Sequence, residues 1–211
     1  MKIIDVVQGS DEWRAARLGI PTASEFSNIV TATGKKSASQ RKYMARLLAE
    51  WYTGCLGEQF SSPFMERGQG MEVEAVRFYE FSTGAKVDRC GLCVTDDGMI
   101  GASPDGLVGD DGLVEIKCLS AENHLFNLIG GDSSADYKCQ MQGQMFVTGR
   151  KWCDLLLYNP IGPVVRRFER DEEYLSVLGP ELAVFVAEMY SWRKRLDDSR
   201  PVVSKEDDTP F

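Results

Sequence analysis

The chain has 211 residues, 43% of them hydrophobic, and a formal net charge of −8. Such a length and apolar content supply one substantial core, and the expected organisation is a single domain over 1–198 followed by a flexible tail at 199–211. The acidic balance excludes a protein that coats nucleic acid through a generally basic surface, so a DNA enzyme of this charge has to gather its Lys and Arg into one local channel. No run approaches the ~20 apolar residues of a membrane helix, and the N-terminus lacks the apolar stretch of a signal peptide. A cytoplasmic protein without membrane contact is expected.

The six cysteines fit that compartment as free thiols. Cys90 and Cys93 form a CxxC, but no second pair stands at zinc spacing, and His124 is the only histidine. Carboxylates have to carry any metal.

Ser10 caps a short helix closed by Gly19, with Trp13 and Leu18 facing inward and Arg17 in its last turn. Thr22-Ala23-Ser24-Glu25 fits a capping box that opens a second helix running to Val30. Ser24 then falls in a first turn, where free N–H groups and the helix dipole favour an anion, and Arg17 just ahead of it is a candidate phosphate clamp. The Gly/Ser/Thr-rich stretch 31–39 predicts a mobile loop whose Lys35 and Lys36 suit contacts with a nucleic-acid backbone. A helix over 40–53 carries Tyr43, Met44, Leu47, Leu48 and Trp51 as its apolar stripe and stops at Gly54.

The next helix, about 65–82, ends at Thr83-Gly84. Ala75, Val76 and Tyr79 follow Glu72 at helical spacing, which sets this acid on an apolar face. An acid so placed needs a partner, such as a metal ion or a buried arginine. Strands follow over 86–95 and 99–102, the second leading to Asp105.

From 114 to 118, Val114, Ile116 and Cys118 alternate with Glu115, Lys117 and Leu119, the period of a strand with an acid and a base on one face. A hairpin across Gly109-Asp110-Asp111-Gly112 brings Asp105 beside that pair. Parity restricts how. With Asp110-Asp111 as a two-residue loop Asp105 would pair with Ile116 and point to the wrong face, so an odd loop or a bulge at Gly106 or Gly109 is required. Two carboxylates with an ammonium make a metal-nuclease constellation, in which the acids hold a hard cation and the lysine positions water or stabilises charge. A surface hairpin with solvated charges is the plainer alternative; the apolar opposite face and the turn Ser103-Pro104-Asp105-Gly106 speak for a strand built into a core.

Ser120 caps a helix over 121–129. Asp132-Ser133-Ser134 opens another over 135–148, on which Tyr137, Gln140, Met141 and Gln144 form a half-polar stripe suited to substrate contact. Strands at 151–158 and 164–169 are joined by Asn159-Pro160-Ile161-Gly162-Pro163, and a last helix starts at Gly179-Pro180 and runs to about Leu196. Strands in the middle with helices on either side in sequence predict an α/β fold, a central mixed β-sheet flanked by helices on both faces.

Several of these motifs in series resemble the phage lambda exonuclease family of the restriction-endonuclease-like nuclease superfamily. They are Trp13 with Arg17-Leu18-Gly19, Thr22-Ala23-Ser24-Glu25, Glu72, Phe81-Ser82-Thr83-Gly84, Ser103-Pro104-Asp105-Gly106-Leu107, Glu115-Ile116-Lys117-Cys118, Tyr137 and Gln140. The resemblance spans about 13–170. It implies a restriction-endonuclease-like core and a Mg²⁺-dependent exonuclease with two ions per site, for which Mn²⁺ can substitute. The 5′-ended strand of linear duplex DNA would be digested to mononucleotides, leaving a 3′ overhang.

By the same resemblance Asp105, Glu115, the carbonyl of Ile116 and Glu72 would hold the metals, and Lys117 would orient the attacking water and help to deprotonate it. Arg17, Ser24, Ser103 and Gln140 would receive the 5′ phosphate. Met65 stands where the family wedges an apolar residue into the duplex end; Tyr137, Lys35 and Lys36 are further candidate DNA contacts. Also implied are a ring-shaped homotrimer around the DNA, a partner single-strand annealing recombinase, and a phage or prophage gene expressed in a bacterial cytoplasm. The alternatives are an endonuclease or single-strand nuclease of the same superfamily, and a non-catalytic DNA-end-binding recombination scaffold.

Overall fold

The computed structural model describes residues 1–56 and 63–199, and for 63–69 the backbone only. Eight strands, β1 (Lys2–Ile4), β2 (Val87–Asp88), β3 (Leu92–Val94), β4 (Gly101–Ala102), β5 (Gly106–Val108), β6 (Gly112–Cys118), β7 (Trp152–Tyr158) and β8 (Val164–Glu169), form two sheets. β1-β3-β4 is antiparallel throughout. The larger sheet, β2-β5-β6-β7-β8, is mixed: β6 and β7 run parallel and the other pairs antiparallel. Six α-helices accompany them, α1 (Asp11–Arg17), α2 (Gln40–Thr53), α3 (Pro63–Thr83), α4 (Ala121–Leu128), α5 (Lys138–Thr148) and α6 (Glu172–Ser199), with 3₁₀ helices at Ala23–Asn28 and Ser134–Tyr137.

Period-two alternation along β6 and β7 assigns the two faces of the larger sheet. Val114, Ile116 and Leu156 turn toward α3 and pack with Ala75 and Tyr79, while Leu113, Cys153, Leu155 and Leu157 turn toward α5 and pack with Met141 and Met145. Burial on both faces makes these central strands nearly continuous apolar runs. A third cluster, with Phe26, Ile29, Tyr43, Leu47, Leu178, Leu182 and Phe185, joins the first 3₁₀ helix, α2 and α6 behind α5. Gly143 lets α5 lie close on that 3₁₀ helix, since a Cβ there would come 2.4 Å from the Phe26 ring. The close approach draws Ser24 toward the glutamines of α5.

The β5–β6 connection satisfies the parity demand. Gly106 pairs with Val114 and Val108 with Gly112, so the loop is the odd set Gly109, Asp110 and Asp111. Gly109 supplies the positive φ of 53° that such a turn requires. Arg150 then clamps the hairpin, its guanidinium donating to the carbonyls of Val108, Gly109 and Gly112 at 3.4, 2.8 and 2.6 Å.

Several expected elements differ. The stretch 86–95 is two strands in different sheets, because the chain crosses at Gly91, where a Cβ would stand 2.4 Å from the carbonyls of Ile4 and Val6. Those carbonyls belong to an N-terminal segment whose strand β1 the sequence did not announce. The capping box does not form: Thr22 makes no side-chain cap, Glu25 turns to Asn28 and Arg46, and the segment is a six-residue 3₁₀ helix. The helix expected over 135–148 divides into a 3₁₀ turn and α5. Asp171, whose carboxylate accepts the Tyr174 N–H at 2.9 Å, starts α6 eight residues before Gly179, and Pro180 lies inside the helix. Residues 31–39 are tied by Thr31 N–H to Lys35 C=O and by the Val30–Lys36 bridge. Apart from Ser199, the expected tail lies outside the described residues.

Asp154, in the middle of β7 and 3% exposed, is the second deeply buried acid of the sheet. It accepts the Tyr79 hydroxyl at 2.7 Å and the Arg167 fork at 2.8 and 2.9 Å, and Arg167 in turn lies 3.7 Å over the Trp152 ring. Full satisfaction makes this a structural brace between α3, β7 and β8. Asp154→Ala leaves the buried Tyr79 phenol without its acceptor and the exposed Arg167 without its partner, and is expected to cost about 2–3 kcal/mol in urea denaturation, against ~1 kcal/mol for Tyr79→Phe. Equal, small losses in both variants would refute that account.

Candidate active site

Extending the β5–β6 register by one residue sets Asp105 opposite Glu115. The Asp105 carboxylate accepts the Ile116 N–H at 2.6 Å, which turns it toward β6. Glu115 is 2% exposed and has both oxygens engaged. Oε1 takes the Gln140 amide at 2.6 Å and the Lys117 ammonium at 2.7 Å, and Oε2 takes the Gln144 amide at 2.6 Å. The half-polar stripe of α5 therefore grips β6 in this structure, with Gln140 and Gln144 on the Glu115 carboxylate. The Lys117 ammonium also lies 5.3 Å from the centre of the Tyr137 ring.

Burial and the neighbouring Glu115 charge push the Asp105 carboxyl well above the usual carboxylate range, against the pull of the Ile116 N–H and of Lys117. Burial works against the charge of Lys117 too, but Glu115 and Asp105 outweigh it and hold the ammonium above its ordinary value. Two acids share one amine, so ionising both leaves an excess of negative charge in a place that solvates it poorly. Hard oxygen donors with an uncompensated charge fit a divalent cation such as Mg²⁺.

Glu72 borders the same cleft, but its carboxylate is drawn to Arg89 at 2.6 Å. It is half-buried and paired, where the sequence pointed it at the core. Among the described residues no three acids close into a ready-made cage. Asp105 and Glu115 are the pair that fits, with Ile116 bordering the cleft and Glu72 within reach of it by leaving Arg89.

A second group of side chains lies across the cleft. The Arg17 guanidinium stacks 4.0 Å over the Trp13 ring and donates to Thr22 Oγ1 at 2.9 Å, and the Thr22 and Ser24 hydroxyls stand 3.4 Å apart. Trp13 Nε1–H donates to Ser103 Oγ at 3.0 Å, leaving the serine proton free for another acceptor. Burial holds the Arg17 pKa below its ordinary value. Among the described residues no carboxylate lies within ion-pair distance of this guanidinium, the arrangement of a cation kept for an external anion. Since the neighbouring 3₁₀ helix is short, the anion site rests on side chains and little on a helix dipole.

Both groups line one cleft of about 540 Å³. It brings together Arg17, Ser24, Glu72, Ser103, Asp105, Glu115, Ile116, Lys117, Tyr137 and Gln140, ten of the residues the sequence singled out. Lys35 and Lys36 do not line it, and Lys36 faces Glu181 at 3.7 Å. The Met65 side chain lies outside the described residues. Gln8, to which the sequence gave no role, also lines the cleft, as do Thr22, expected only as part of a capping box, and Gln144, expected on the half-polar stripe. The i, i+4 spacing from Gln140 was a signal for Gln144; nothing local marked Gln8.

Fold and site together define a nuclease of the restriction-endonuclease-like fold. Residues 12–151 match the YqaJ-like viral recombinase domain, and the chain belongs to that family. It is similar to an alkaline exonuclease from Laribacter hongkongensis, with 36% identity over 90% of this chain and 97% of that one and a TM-score of 0.78; the same values hold for that exonuclease in complex with dAMP. A phage-related exonuclease from Haemophilus somnus 129PT shares the fold at 14% identity, covering 86% of this chain and 96% of that one, with a TM-score of 0.66. No curated protein matches. No helix among the described residues is long and apolar enough to cross a membrane.

The crowded acids make a stability prediction. A carboxyl whose folded pKa is raised above its unfolded value weakens the fold at pH above both, and that cost vanishes as pH falls and the folded protein takes up the proton. In EDTA, Asp105→Asn is expected to raise stability by about 1 kcal/mol, or ~2–4 °C in Tm, at neutral pH. The gain over wild type should shrink as pH falls toward the ordinary carboxylate range, and thermal melts across pH with no such convergence would refute it.

Proposed function

We propose that the protein is a Mg²⁺-dependent exonuclease that removes mononucleotides from the 5′-ended strand of linear duplex DNA and leaves a 3′ overhang. The observation that carries this reading is the single cleft that sets the Asp105, Glu115 and Lys117 group opposite Arg17, which has no carboxylate partner among the described residues. A terminal phosphate in the Arg17 pocket delivers the next phosphodiester to the acids, so the depth of the cleft sets the unit of cleavage. The relative crystallised with dAMP holds a molecule of the kind such a reaction releases.

Asp105 and Glu115, with the Ile116 carbonyl and Glu72, would hold the cations, which supply charge neutralisation at the phosphoryl oxygens and a more acidic water. Arg17, Ser24 and Ser103 bind the 5′ phosphate, assisted by Gln140 once it leaves Glu115. Lys117 orients the attacking water. Burial opposes its charge and the two acids sustain it, so neutralising them frees the amine to take the water's proton. The water oxygen joins phosphorus, the bond to the 3′ oxygen of the terminal nucleotide breaks, and that oxygen leaves with a proton. The shortened strand again ends in a 5′ phosphate, the group that Arg17 binds.

Membership of a viral recombinase family supports a role in DNA recombination, handing the exposed 3′ strand to a single-strand annealing recombinase in a bacterial cytoplasm. A net charge of −8 fits a homotrimeric ring, in which topology substitutes for a broad basic surface. Met65, Tyr137, Lys35 and Lys36 would contact the DNA.

The test uses linear duplexes bearing a 5′ phosphate or a 5′ hydroxyl, with a covalently closed duplex alongside. Mg²⁺-dependent digestion should favour the phosphorylated end and spare the closed form, and EDTA should abolish it. Arg17→Ala should erase the phosphate preference, a loss of roughly ten- to hundredfold on that end. Cutting of the closed duplex would point instead to an endonuclease. Lys117→Ala should lower kcat roughly a hundredfold or more; unchanged processing would leave a DNA-end-binding scaffold as the better description.

A further inference from the structure

Two short crossings, from β2 to β3 and from β4 to β5, join the two sheets, and Asp105 lies on the second of them. Between β2 of the larger sheet and β3 of the smaller come residues 89–91; between β4 of the smaller and β5 of the larger come 103–105. Neither passage belongs to a strand. The ladders that fix Glu115 and Lys117 on β6 therefore stop short of the other acid.

One side chain ties the two passages together. Gln8 Nε2 donates to the carbonyls of Pro104 at 2.8 Å, Cys90 at 3.0 Å and Gly91 at 3.5 Å. An amide has two protons, so the two short contacts take one each and the third is shared. Three carbonyls around one atom also fix the orientation of the amide, since an oxygen there would face only acceptors. The Cys90 thiol donates to the same Pro104 carbonyl at 3.7 Å. Gln8 is half-buried and borders the cleft.

We propose that Gln8 is a positioning residue for the site: its amide staples the crossing at 89–91 to the Pro104–Asp105 peptide and so fixes the Asp105 carboxylate against Glu115. The Pro104 carbonyl belongs to the peptide that carries Asp105. With its orientation free, the carboxylate is held from one side only, by the Ile116 N–H. This rests on the reading of Asp105 as a cation-holding acid, and it brings the first ten residues into the catalytic apparatus.

The experiment compares wild type, Gln8→Met, Gln8→Lys and Asp105→Asn as full-length proteins. Gln8→Met keeps the length and loses the donors; Gln8→Lys restores N–H donors at similar reach. Mn²⁺ binding without DNA is read by electron paramagnetic resonance, beside kcat and KM on 5′-phosphorylated duplex and Tm in EDTA. Gln8→Met is expected to weaken Mn²⁺ binding and lower kcat, each about tenfold or more, with KM and Tm little changed, and Gln8→Lys to recover most of both. Wild-type Mn²⁺ affinity and kcat in Gln8→Met overturn the proposal, as does a failure of Gln8→Lys to recover either. Should Gln8→Met not fold, Gln8→Asn, whose amide falls one methylene short, takes its place: the same two losses are expected, and wild-type values overturn the proposal equally. Undiminished Mn²⁺ binding in Asp105→Asn, or none in wild type, would sink the cation reading of Asp105 itself, a different result from loss of the Gln8 effect alone.

Discussion

Two carboxylates side by side in a poorly solvated cleft repel each other, and the register of one hairpin forces them together. The odd loop at Gly109–Asp111 decides that Asp105 faces Glu115, and Arg150 fixes the hairpin by gripping one carbonyl of the loop and one on either side of it. Much of the surrounding structure manages the repulsion. Gln140, Gln144 and Lys117 saturate Glu115, the Ile116 N–H steadies Asp105, and Arg89 draws Glu72 aside. Crowded acids that solvent stabilises poorly mark a functional cleft more often than a structural one.

The acids and the anion pocket lie on separate pieces of the fold, which α5 joins. Its glutamines reach β6, and Gly143 on the same helix beds against Phe26 in the 3₁₀ helix that begins beside Thr22 and Ser24. Distance between the acids and the Arg17 group is thus set by helix packing, which tolerates little change in volume. A bulky residue at 143 would separate the two groups without touching either.

Patterns tied to strict periodicity were legible in the sequence. Alternation over 114–118 assigned Glu115 and Lys117 to one face, and parity alone demanded an odd loop. Motifs in series from Trp13 to Gln140 led to the family and to most of the cleft. Less legible were features set by tertiary contact. Thr22 reads as a helix cap, yet Arg17 claims its hydroxyl, a partner that local spacing does not specify. Pro180 reads as a helix start, yet the capping carboxylate of Asp171 lies farther back. Glu72 has the spacing of a core-facing acid, and an arginine beyond the end of its helix takes it to the cleft edge. Gln8 has no periodicity at all, since its partners stand more than eighty residues away.

That long reach bears on how the protein is made. From Gln8 to Gln144, the groups that complete the cleft are scattered over two thirds of the polypeptide and come together only through late, non-local closure. A chain that stops between Cys118 and Lys138 has both acids but neither of the amides that grip Glu115. The finished cleft is in this way a property of the whole fold, absent from any chain that stops short of α5.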